Sequence, residues 1–171
     1  MSASVPASIA SRKLAILVAR GFDSRGVGAI KRALAAEGAI AQLVAPELGE
    51  IQADDGSVHT PEFSILTTSS VLFDAVHVAD GEHALEWLAE ADAVDFVRDA
   101  FKHCKPISAS GRGIELLEEA EIGTGMRDDG EPADDATIVG DKVNSAFTKR
   151  LVAAMASHRL WSREPELHLP L

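Results

Sequence analysis

A continuous run of apolar residues at 14–19 constrains the fold of this chain more than any other feature of the sequence. The run is far shorter than the ~20 residues of a membrane helix, and it fits a strand covered on both faces by helices, as in parallel sheets. Apolar residues at helical spacing follow at 24–37, and a second apolar run lies at 40–45. This order of strand, helix and strand predicts a right-handed crossover that joins two parallel strands.

The same alternation continues along the chain, interrupted by one predicted hairpin at 51–59 around the turn dipeptide Asp55-Gly56. Ser24 is the predicted N-cap of the first helix and Gly38 its predicted stop. Strands are predicted at 14–19, 40–45, 75–79, 106–109 and 136–139, and helices at 24–37, around 85–88, from 92 to about 104, at 111–120 and at 142–157. Alternating strands and helices imply an α/β fold, a flavodoxin-like three-layer sandwich with a mostly parallel sheet and flanking helices.

Length and composition favour one soluble folded unit. At ~150 residues per domain, 171 residues predict a single domain, which we place at 13–161, between a leader or linker at 1–12 and a tail at 162–171. The formal charge of −11, from 16 basic and 27 acidic residues, repels nucleic acid and anionic membrane surfaces, and no basic patch offsets it. The start of the chain lacks the pattern of an export signal, and the single Cys104 fits a reducing compartment. We therefore expect a cytoplasmic protein that binds neither nucleic acid nor membrane.

Ligand sites of doubly wound sheets lie beyond the carboxyl ends of the strands, so four loops are candidates: 20–26, 80–83, 110–113 and 140–142. The first of them lacks the Gly-x-Gly-x-x-Gly pattern of dinucleotide-binding folds, and the phosphate-binding pattern Gly-x-x-x-x-Gly-Lys-Ser/Thr is absent from the chain. The sequence therefore does not support nucleotide binding.

Asp80 and Lys142 follow the third and fifth predicted strands, where a phospho-acceptor receiver domain carries its acceptor aspartate and its lysine. Such a site also needs a pair of acidic residues after the first strand to hold Mg²⁺. Residues 20–23 supply one acid, Asp23, beside a cation. We therefore interpret Asp80 as the cap of a helix that begins near Gly81.

Two groups of metal-ligating side chains are close in sequence but lack suitable spacing. His77 is predicted to lie within a strand and Asp80 and His83 on the turn after it, so we expect single, hydrogen-bonded histidines rather than a shared metal. The segment 123–135 lacks the ordered spacing of a calcium loop and is interpreted as a solvated acidic loop. Its acidic residues are Asp128, Asp129, Glu131, Asp134 and Asp135. We expect no metal site in this chain.

Residues 105–117, Lys-Pro-Ile-Ser-Ala-Ser-Gly-Arg-Gly-Ile-Glu-Leu-Leu, have the strand, sharp turn and helix of a nucleophile elbow. The segment resembles the elbow of the PfpI-like, class I glutamine amidotransferase-like superfamily, in which a Lys-Pro strand leads into Cys-His-Gly. Here Gly111 stands at the cysteine position and Arg112 at the histidine position, and the activating acid of that family falls at Gly26. The resemblance implies a degenerate pocket at Gly26, Gly81, Gly111 and Arg112, without catalytic residues, because a glycine cannot attack a carbonyl.

Three residues near this turn are substitute nucleophiles, and each fits poorly. Ser110 lies one residue early, so strand alternation directs it elsewhere, and no histidine is placed as its base. Cys104 lies on the apolar stripe of the preceding predicted helix, and Ser108 lies inside the strand. Two alternatives stay open. One is a hydrolase, deglycase or amidotransferase-like enzyme with an unconventional nucleophile, and the other is a module that binds a small anion through Arg112 and helix N-terminal amides.

A PfpI-like sandwich without its nucleophile is similar to one family in particular, the C-terminal domain of the large-subunit haem catalases. The similarity extends over nearly the whole chain in order and spacing. Its segments are 13–21, 35–39, 44–46, 48–49, 70–76, 80–81, 93–103 and 105–107. The sequence His-Arg-Leu-Trp-Ser-Arg-Glu at 158–164 resembles the His-Arg-x-Trp-x-Arg-Glu close of those catalases.

This resemblance implies a parent protein that decomposes hydrogen peroxide in a separate haem domain. The present segment is expected to pack on that catalase core, stabilise the homotetramer and assist unfolded-protein clients. The chain contains no Tyr, so it cannot supply the tyrosinate that holds the haem iron of catalases, and we expect neither haem nor catalase activity in this segment. Whether the segment is an excised domain behind a linker or the product of a separate gene stays open.

Overall fold

Strands and helices alternate in the computed structural model, which describes residues 8–123 and 137–157. The strands are β1 (Lys13–Leu17), β2 (Ile40–Ala45), β3 (Ile51–Gln52), β4 (Val58–His59), β5 (Phe63–Ser64), β6 (Ala75–Val78), β7 (Ile107–Ser110) and β8 (Thr137–Gly140). The α-helices are α1 (Ser24–Ala36), α2 (Ala91–Lys102), α3 (Ile114–Glu119) and α4 (Ser145–Ala156). Short 3-10 helices lie at Ser70–Leu72, Ala84–Ala89 and Gly111–Gly113.

Six of the eight described strands form one parallel sheet in the order β5-β2-β1-β6-β7-β8, and β3 and β4 form a separate two-stranded sheet. Strand β1 lies inside this sheet, between β2 and β6, which explains why its apolar run has no polar face. Leu14 and Ile16 pack on one side and Ala15 and Leu17 on the other, and all four side chains are fully buried. The continuous apolar pattern thus reflects a strand covered on both faces, as predicted.

Two helical layers cover the sheet. Helices α1 and α4 supply apolar side chains to the face of Leu14, and α2 and α3 supply them to the face of Leu17. Burial of one large apolar side chain stabilises a fold by about 1.5–3 kcal/mol, so each contiguous core is a major source of stability. The architecture is the predicted three-layer α/β sandwich.

The ends of α1 differ in one respect from the prediction. Asp23, rather than Ser24, is the N-cap residue, and its carboxylate accepts the backbone N–H of Gly26 at 3.1 Å. Gly38 follows the helix with φ +76°, in the left-handed region that favours glycine. The predicted stop at Gly38 is confirmed, and the predicted cap at Ser24 was wrong by one residue.

Helix α4 begins later than the predicted 142–157. The side chain of Asn144 accepts the backbone N–H of Phe147 at 2.9 Å and caps the helix, so its first residue is Ser145. Val143, which the apolar spacing assigned to the helix, precedes it but still packs against the core. Local capping therefore overrides an apolar pattern that extends further.

Three short elements complete the comparison with the predicted elements. Strands β3 and β4 form the predicted antiparallel hairpin, and Gly56 has φ +83° in its turn. The residues around 85–88 form a 3-10 helix rather than an α-helix. Strand β5, which no apolar run predicted, pairs in parallel with β2 at the edge of the sheet.

No helix in the described part of the chain is long and apolar enough to cross a membrane. The predicted tail at 162–171 and the domain end at 161 lie outside the described residues. The predicted leader at 1–12 and the acidic loop at 123–135 lie mostly outside them.

Candidate functional site

The carboxyl ends of the parallel strands bring the four predicted loops to one edge of the sheet, where they line a cavity of about 710 Å³. The four residues of the predicted pocket, Gly26, Gly81, Gly111 and Arg112, all lie on its wall. The other wall residues are Gly21, Asp23, Arg25, Asp54, Asp80, Glu82, Asp141, Lys142 and Val143. Loops that are distant in sequence meet here because parallel strands end at the same edge.

The turn after β7 has the backbone of a nucleophile elbow. Gly111 directly follows the strand with φ +51°, a conformation that glycine adopts at no steric cost. A Cβ on Gly113 would overlap the backbone carbonyl oxygen of Val78 in β6. The turn is therefore packed closely against the neighbouring strand β6. Gly111 permits its positive φ angle, and Gly113 permits the close approach to the Val78 carbonyl group.

The side chain of Asp80 fills the space in front of this turn. Its Oδ1 accepts the backbone N–H of Gly81 at 2.8 Å and that of Arg112 at 2.9 Å. The Oγ of Ser110 accepts the backbone N–H of Asp80 at 3.2 Å. A Cβ on Gly111 would overlap the Asp80 carboxyl group. A carboxylate thus stands where the side chain of a nucleophile would begin, and within the described residues it contacts two amides rather than a histidine base.

The interpretation of Asp80 as the cap of the next helix was wrong. That helix begins at Ala84, and its N-cap residue His83 forms no side-chain cap hydrogen bond. The Asp80 carboxylate instead links the loop after β6 to the turn after β7. This link spans 32 residues between Asp80 and Arg112, so no local sequence pattern signals it.

A carboxylate fills the Gly26 position in a similar way. Asp23 accepts the backbone N–H of Gly26, and a Cβ on Gly26 would overlap the Asp23 carboxylate. Asp54, which no sequence pattern singled out, approaches from the β3–β4 hairpin and accepts the backbone N–H of Ser24 at 3.1 Å. Both carboxylates therefore hold backbone amides of the same loop, and the place of an activating acid is taken by Asp23.

The wall carries five carboxylates against three cationic side chains, those of Arg25, Arg112 and Lys142. The guanidinium of Arg112 lies 3.5 Å from the carbonyl oxygens of Gly81 and Glu82, so it leans over the loop after β6. Its backbone N–H is already engaged by Asp80. A small anion entering the pocket would meet an excess of negative charge and engaged amides, which disfavours the anion-binding alternative for the chain as it stands.

The structure brings Asp80 and Lys142 to one pocket, as the receiver comparison requires, and adds Asp23 and Asp54 on the same wall. The acids at 23 and 54 already accept backbone N–H groups. Among residues 8–123 and 137–157, no group of three or more His, Cys, Asp or Glu side chains is placed to hold a metal ion. These contacts do not favour a magnesium-dependent phospho-acceptor site.

The substitute nucleophiles near the turn do not face the cavity. Ser110 is buried, and its hydroxyl oxygen is held by the Asp80 amide. Cys104 is also buried, but it lies beyond the end of α2 with φ +61° rather than on the helical stripe where we predicted it. Neither residue belongs to the wall of the cavity, so neither is placed to attack a ligand there.

Ser108 and His77 form a contact that the sequence did not signal. The Nδ1 of His77 lies 2.8 Å from the Oγ of Ser108, and both residues are fully buried. Within the described residues the Nε2 of His77 has no hydrogen-bond partner, so the expectation of a satisfied histidine was wrong for this nitrogen. Burial lowers the pKa of His77 to about 3, because the charged imidazolium loses its solvation. The pair brings together the side-chain groups of a nucleophile and a base, but the Ser108 hydroxyl also donates to the carbonyl oxygen of Val76 at 3.3 Å, and both residues are buried in the core. His83 lies elsewhere, 3.5 Å from Glu86.

Comparison with known proteins identifies relatives over most of the chain. Residues 10–165 match the family model for the C-terminal domain found in long catalases. Catalase HPII of Mycobacterium avium is 34% identical over 93% of this chain and 24% of its own length. Catalase-2 of Bacillus subtilis (strain 168) is 33% identical over 90% of this chain and 21% of its own length. The chain thus spans about a fifth to a quarter of these catalases.

A solved structure shows the same fold. The ThiJ/PfpI domain protein from Brachyspira murdochii has a TM-score of 0.74 and 14% sequence identity, and the match covers 86% of this chain and 98% of that protein. Since the identity is low, this similarity concerns the fold alone.

Proposed function

The chain belongs to the family of C-terminal domains found in long catalases, and from this premise we propose that it is a non-catalytic part of a haem catalase that decomposes hydrogen peroxide. The haem and the peroxide chemistry reside in a separate core domain of the parent protein. This proposal agrees with the small share of the related catalases that the chain spans.

The observation that carries the proposal is the filling of the elbow. At the two positions where a PfpI-like enzyme has its nucleophile and its activating acid, this chain has Gly111 and Gly26. The space beside each glycine is taken by a carboxylate, Asp80 and Asp23 respectively, that accepts backbone N–H groups. Catalysis of acyl transfer needs a nucleophile activated by a base at this point. Among residues 8–123 and 137–157, the hydrogen-bond partners of these two carboxylates are backbone N–H groups rather than a nucleophile or a base.

The domain acts through contact with the folded catalase core. A partner that binds the folded state and not the unfolded state stabilises it by mass action. Such contact raises the yield and the lifetime of the assembled homotetramer, and the same surface serves unfolded-protein clients. We place this activity in the cytoplasm, on the basis of the single cysteine.

One apolar surface fits a contact with the core. Leu66, Val71 and Leu72 are 65%, 73% and 52% exposed, and they lie within one short segment between β5 and β6. Single exposed apolar residues are common, but several in one segment are typical of an interaction surface. We assign this segment, the 66–72 surface, to the catalase core of the same parent protein.

The test is to delete the corresponding domain from a full-length long catalase and to compare assembly and lifetime with the intact protein. We expect fewer tetramers, seen by size-exclusion chromatography, and faster thermal inactivation. Peroxide turnover per bound haem stays the same, because the haem site lies in the core. The isolated chain serves as the control and should show no oxygen release from hydrogen peroxide.

An unchanged assembly yield together with an unchanged inactivation rate would defeat the proposal. Saturable hydrolase or deglycase turnover by the isolated chain, abolished by a single substitution at Ser110 or Arg112, would establish the enzymatic alternative instead.

A further inference from the structure

The helices on the two faces of the sheet carry opposite charge. Helices α1 and α4 pack together on one face, and they contain five basic residues and no acidic one. The basic residues are Arg25, Lys31, Arg32, Lys149 and Arg150. Helices α2 and α3, on the other face, contain six acidic residues and two basic ones. Because α1 and α4 are far apart in the sequence, only the fold assembles this basic layer, and the expectation that the chain has no basic patch was wrong here.

Within the part of the chain that the structure describes, the cations of this layer have no carboxylate partner. Arg25, Arg32, Lys149 and Arg150 are exposed, and none of the five forms a salt bridge among residues 8–123 and 137–157. Charges on a protein surface are screened beyond about 8 Å at physiological salt, so the acidic helices across the sheet do not neutralise them. The layer therefore attracts a negatively charged partner, although the net charge of the chain is −11.

A groove between α1 and α4 lies within this basic layer and has a volume of about 350 Å³. The residues of its wall are Ala33, Glu37, Thr148, Lys149, Val152 and Ala153. The apolar side chains of the wall are small, which leaves room for larger apolar side chains of a partner. Lys149 lies on the wall itself, and Arg32 precedes Ala33 in α1. The groove thus offers apolar surface next to positive charge, a combination that suits an amphipathic helix laid in a groove.

We propose that this groove and the cations of α1 and α4 bind an acidic amphipathic segment of a protein, a helix with acidic and apolar side chains along one face. A nucleic acid would make little use of the apolar wall, and neither helix exposes an aromatic side chain on which bases could stack, because Phe147 is buried. Insertion into a membrane surface uses large apolar side chains, whereas the apolar residues of the wall are two alanines and a valine.

This groove is separate from the 66–72 surface. The segment of that surface packs against α2, on the opposite face of the sheet. The inference therefore goes beyond the proposed function, and it stands whether or not the domain docks on a catalase core.

The experiment measures binding of a fluorescein-labelled peptide to the full 171-residue chain by fluorescence anisotropy. The peptide has about 15 residues, enough for several helical turns, with Glu and Leu at helical spacing. We expect saturable binding that weakens as the ionic strength rises. A peptide with Gln in place of every Glu should bind at least about tenfold more weakly, because it lacks the charges that the cations attract.

Two pairs of variants separate the groove from the rest of the surface. K149E reverses a charge on the groove wall, and K102E makes the same change at a lysine of α2 on the opposite face. A153W fills the groove with a large side chain, and A146W adds the same side chain to α4 outside the groove. All four positions are exposed, so the variants are expected to fold. We expect K149E and A153W to weaken binding of the Glu peptide at least about tenfold, and K102E and A146W to bind it as the original chain does.

The proposal is overturned if the Glu peptide does not bind, or if it binds equally to the two members of either pair of variants. Equal binding of the Gln peptide would also overturn it, because the cations would then not be involved. Single-stranded oligothymidylate, or vesicles of phosphatidylcholine and phosphatidylserine, should bind more weakly than the Glu peptide. Binding of either one as tight as that of the peptide would show a general site for polyanions or membranes and would refute the assignment to a protein segment.

Discussion

The turn after β7 and the strand that leads into it differ in an instructive way. The turn faces the cavity and has the backbone of a nucleophile elbow, but Gly111 gives it no reactive group. The strand below carries Ser108 in contact with His77, which are the groups of a nucleophile and a base, but both are sealed in the core. The turn is thus open to the cavity but has no reactive side chain at Gly111. The strand has a serine in contact with a histidine, but both are inaccessible to solvent. Among the described residues, the accessible turn and the serine–histidine contact therefore lie at separate places.

The largest effect is expected from adding one methyl group to the elbow. G113A places a Cβ against the Val78 carbonyl oxygen, and we expect a loss of about 3 kcal/mol of unfolding free energy, the upper part of the usual range for overpacking. Urea denaturation measures this free energy of unfolding.

G28A is the matched control, because its Cβ meets only the far end of the flexible Arg32 side chain. The control should be stabilised by about 0.5–1 kcal/mol. Equal stability of G113A and the original chain would show that the turn is not held against β6.

A double-mutant cycle tests whether Asp80 fills the elbow. G111A is expected to cost more in the original chain than in D80A, because its Cβ competes with the Asp80 carboxyl group for the same space. We expect a coupling of about 1–3 kcal/mol in the free energy of unfolding, the range for residues in contact. The cost of φ +51° for alanine is present in both backgrounds and cancels. Strictly additive effects would mean that the two side chains do not compete.

The buried His77, which contacts Ser108, should contribute to the loss of unfolding free energy at acidic pH. His77 is neutral in the folded chain, with a pKa of about 3, and the unfolded chain binds a proton below about 6.5. Because the unfolded state binds more protons between these values, stability falls as the pH is lowered through that window, by up to about 1.4 kcal/mol per pH unit.

The variant H77L in an S108A background removes this contribution, while S108A alone keeps the titrating imidazole. We expect a shallower loss of unfolding free energy with falling pH in the double variant than in S108A, measured by urea denaturation at several pH values within the window. Parallel pH profiles of the two variants would refute the assignment.

The smallest effect on the isolated domain is expected at the 66–72 surface. V71D alters an exposed side chain and should change the unfolding free energy by no more than about 0.5 kcal/mol. In a full-length long catalase the equivalent change should lower tetramer yield, because it places a charge in the contact with the core. L48D, at another exposed apolar position, is the control and should assemble normally. Equal tetramer yields of the two variants would contradict the assignment of the 66–72 surface to the contact with the catalase core.

The central strands were predictable because burial of a strand on both faces requires a continuous run of apolar residues in its sequence. The run at 14–19 contains no polar residue, and this property alone indicates a strand in a sheet covered on both sides. The run at 40–45 contains one polar residue, Gln42, and only its last three residues, 43–45, are buried. Strand β5 has no apolar run that would predict it, because it has only two residues, Phe63–Ser64, and lies at the edge of the sheet. Its existence depends on pairing with β2, which is a tertiary contact.

The candidate site also has features that the sequence predicts and contacts that only the folded structure reveals. The four loops could be predicted, because parallel strands end at one edge, and the sequence itself shows that position 111, at the turn after β7, is a glycine without a side chain. The role of Asp80 could not, because its two amide donors lie on loops that only the folded sheet brings together. The contact between His77 and Ser108 was likewise invisible, since it joins β6 and β7 across 31 residues.

The most direct test of a site without a reactive group is chemical labelling of the native chain. The chain is treated with a fluorophosphonate, which modifies activated serines, and with iodoacetamide, which modifies accessible thiolates, and its intact mass is then measured. We predict no adduct on the folded chain, and an iodoacetamide adduct at Cys104 only after unfolding in urea. Stoichiometric modification of Ser108 or Ser110 in the folded chain, lost in the corresponding alanine variant, would contradict the account and identify a catalyst.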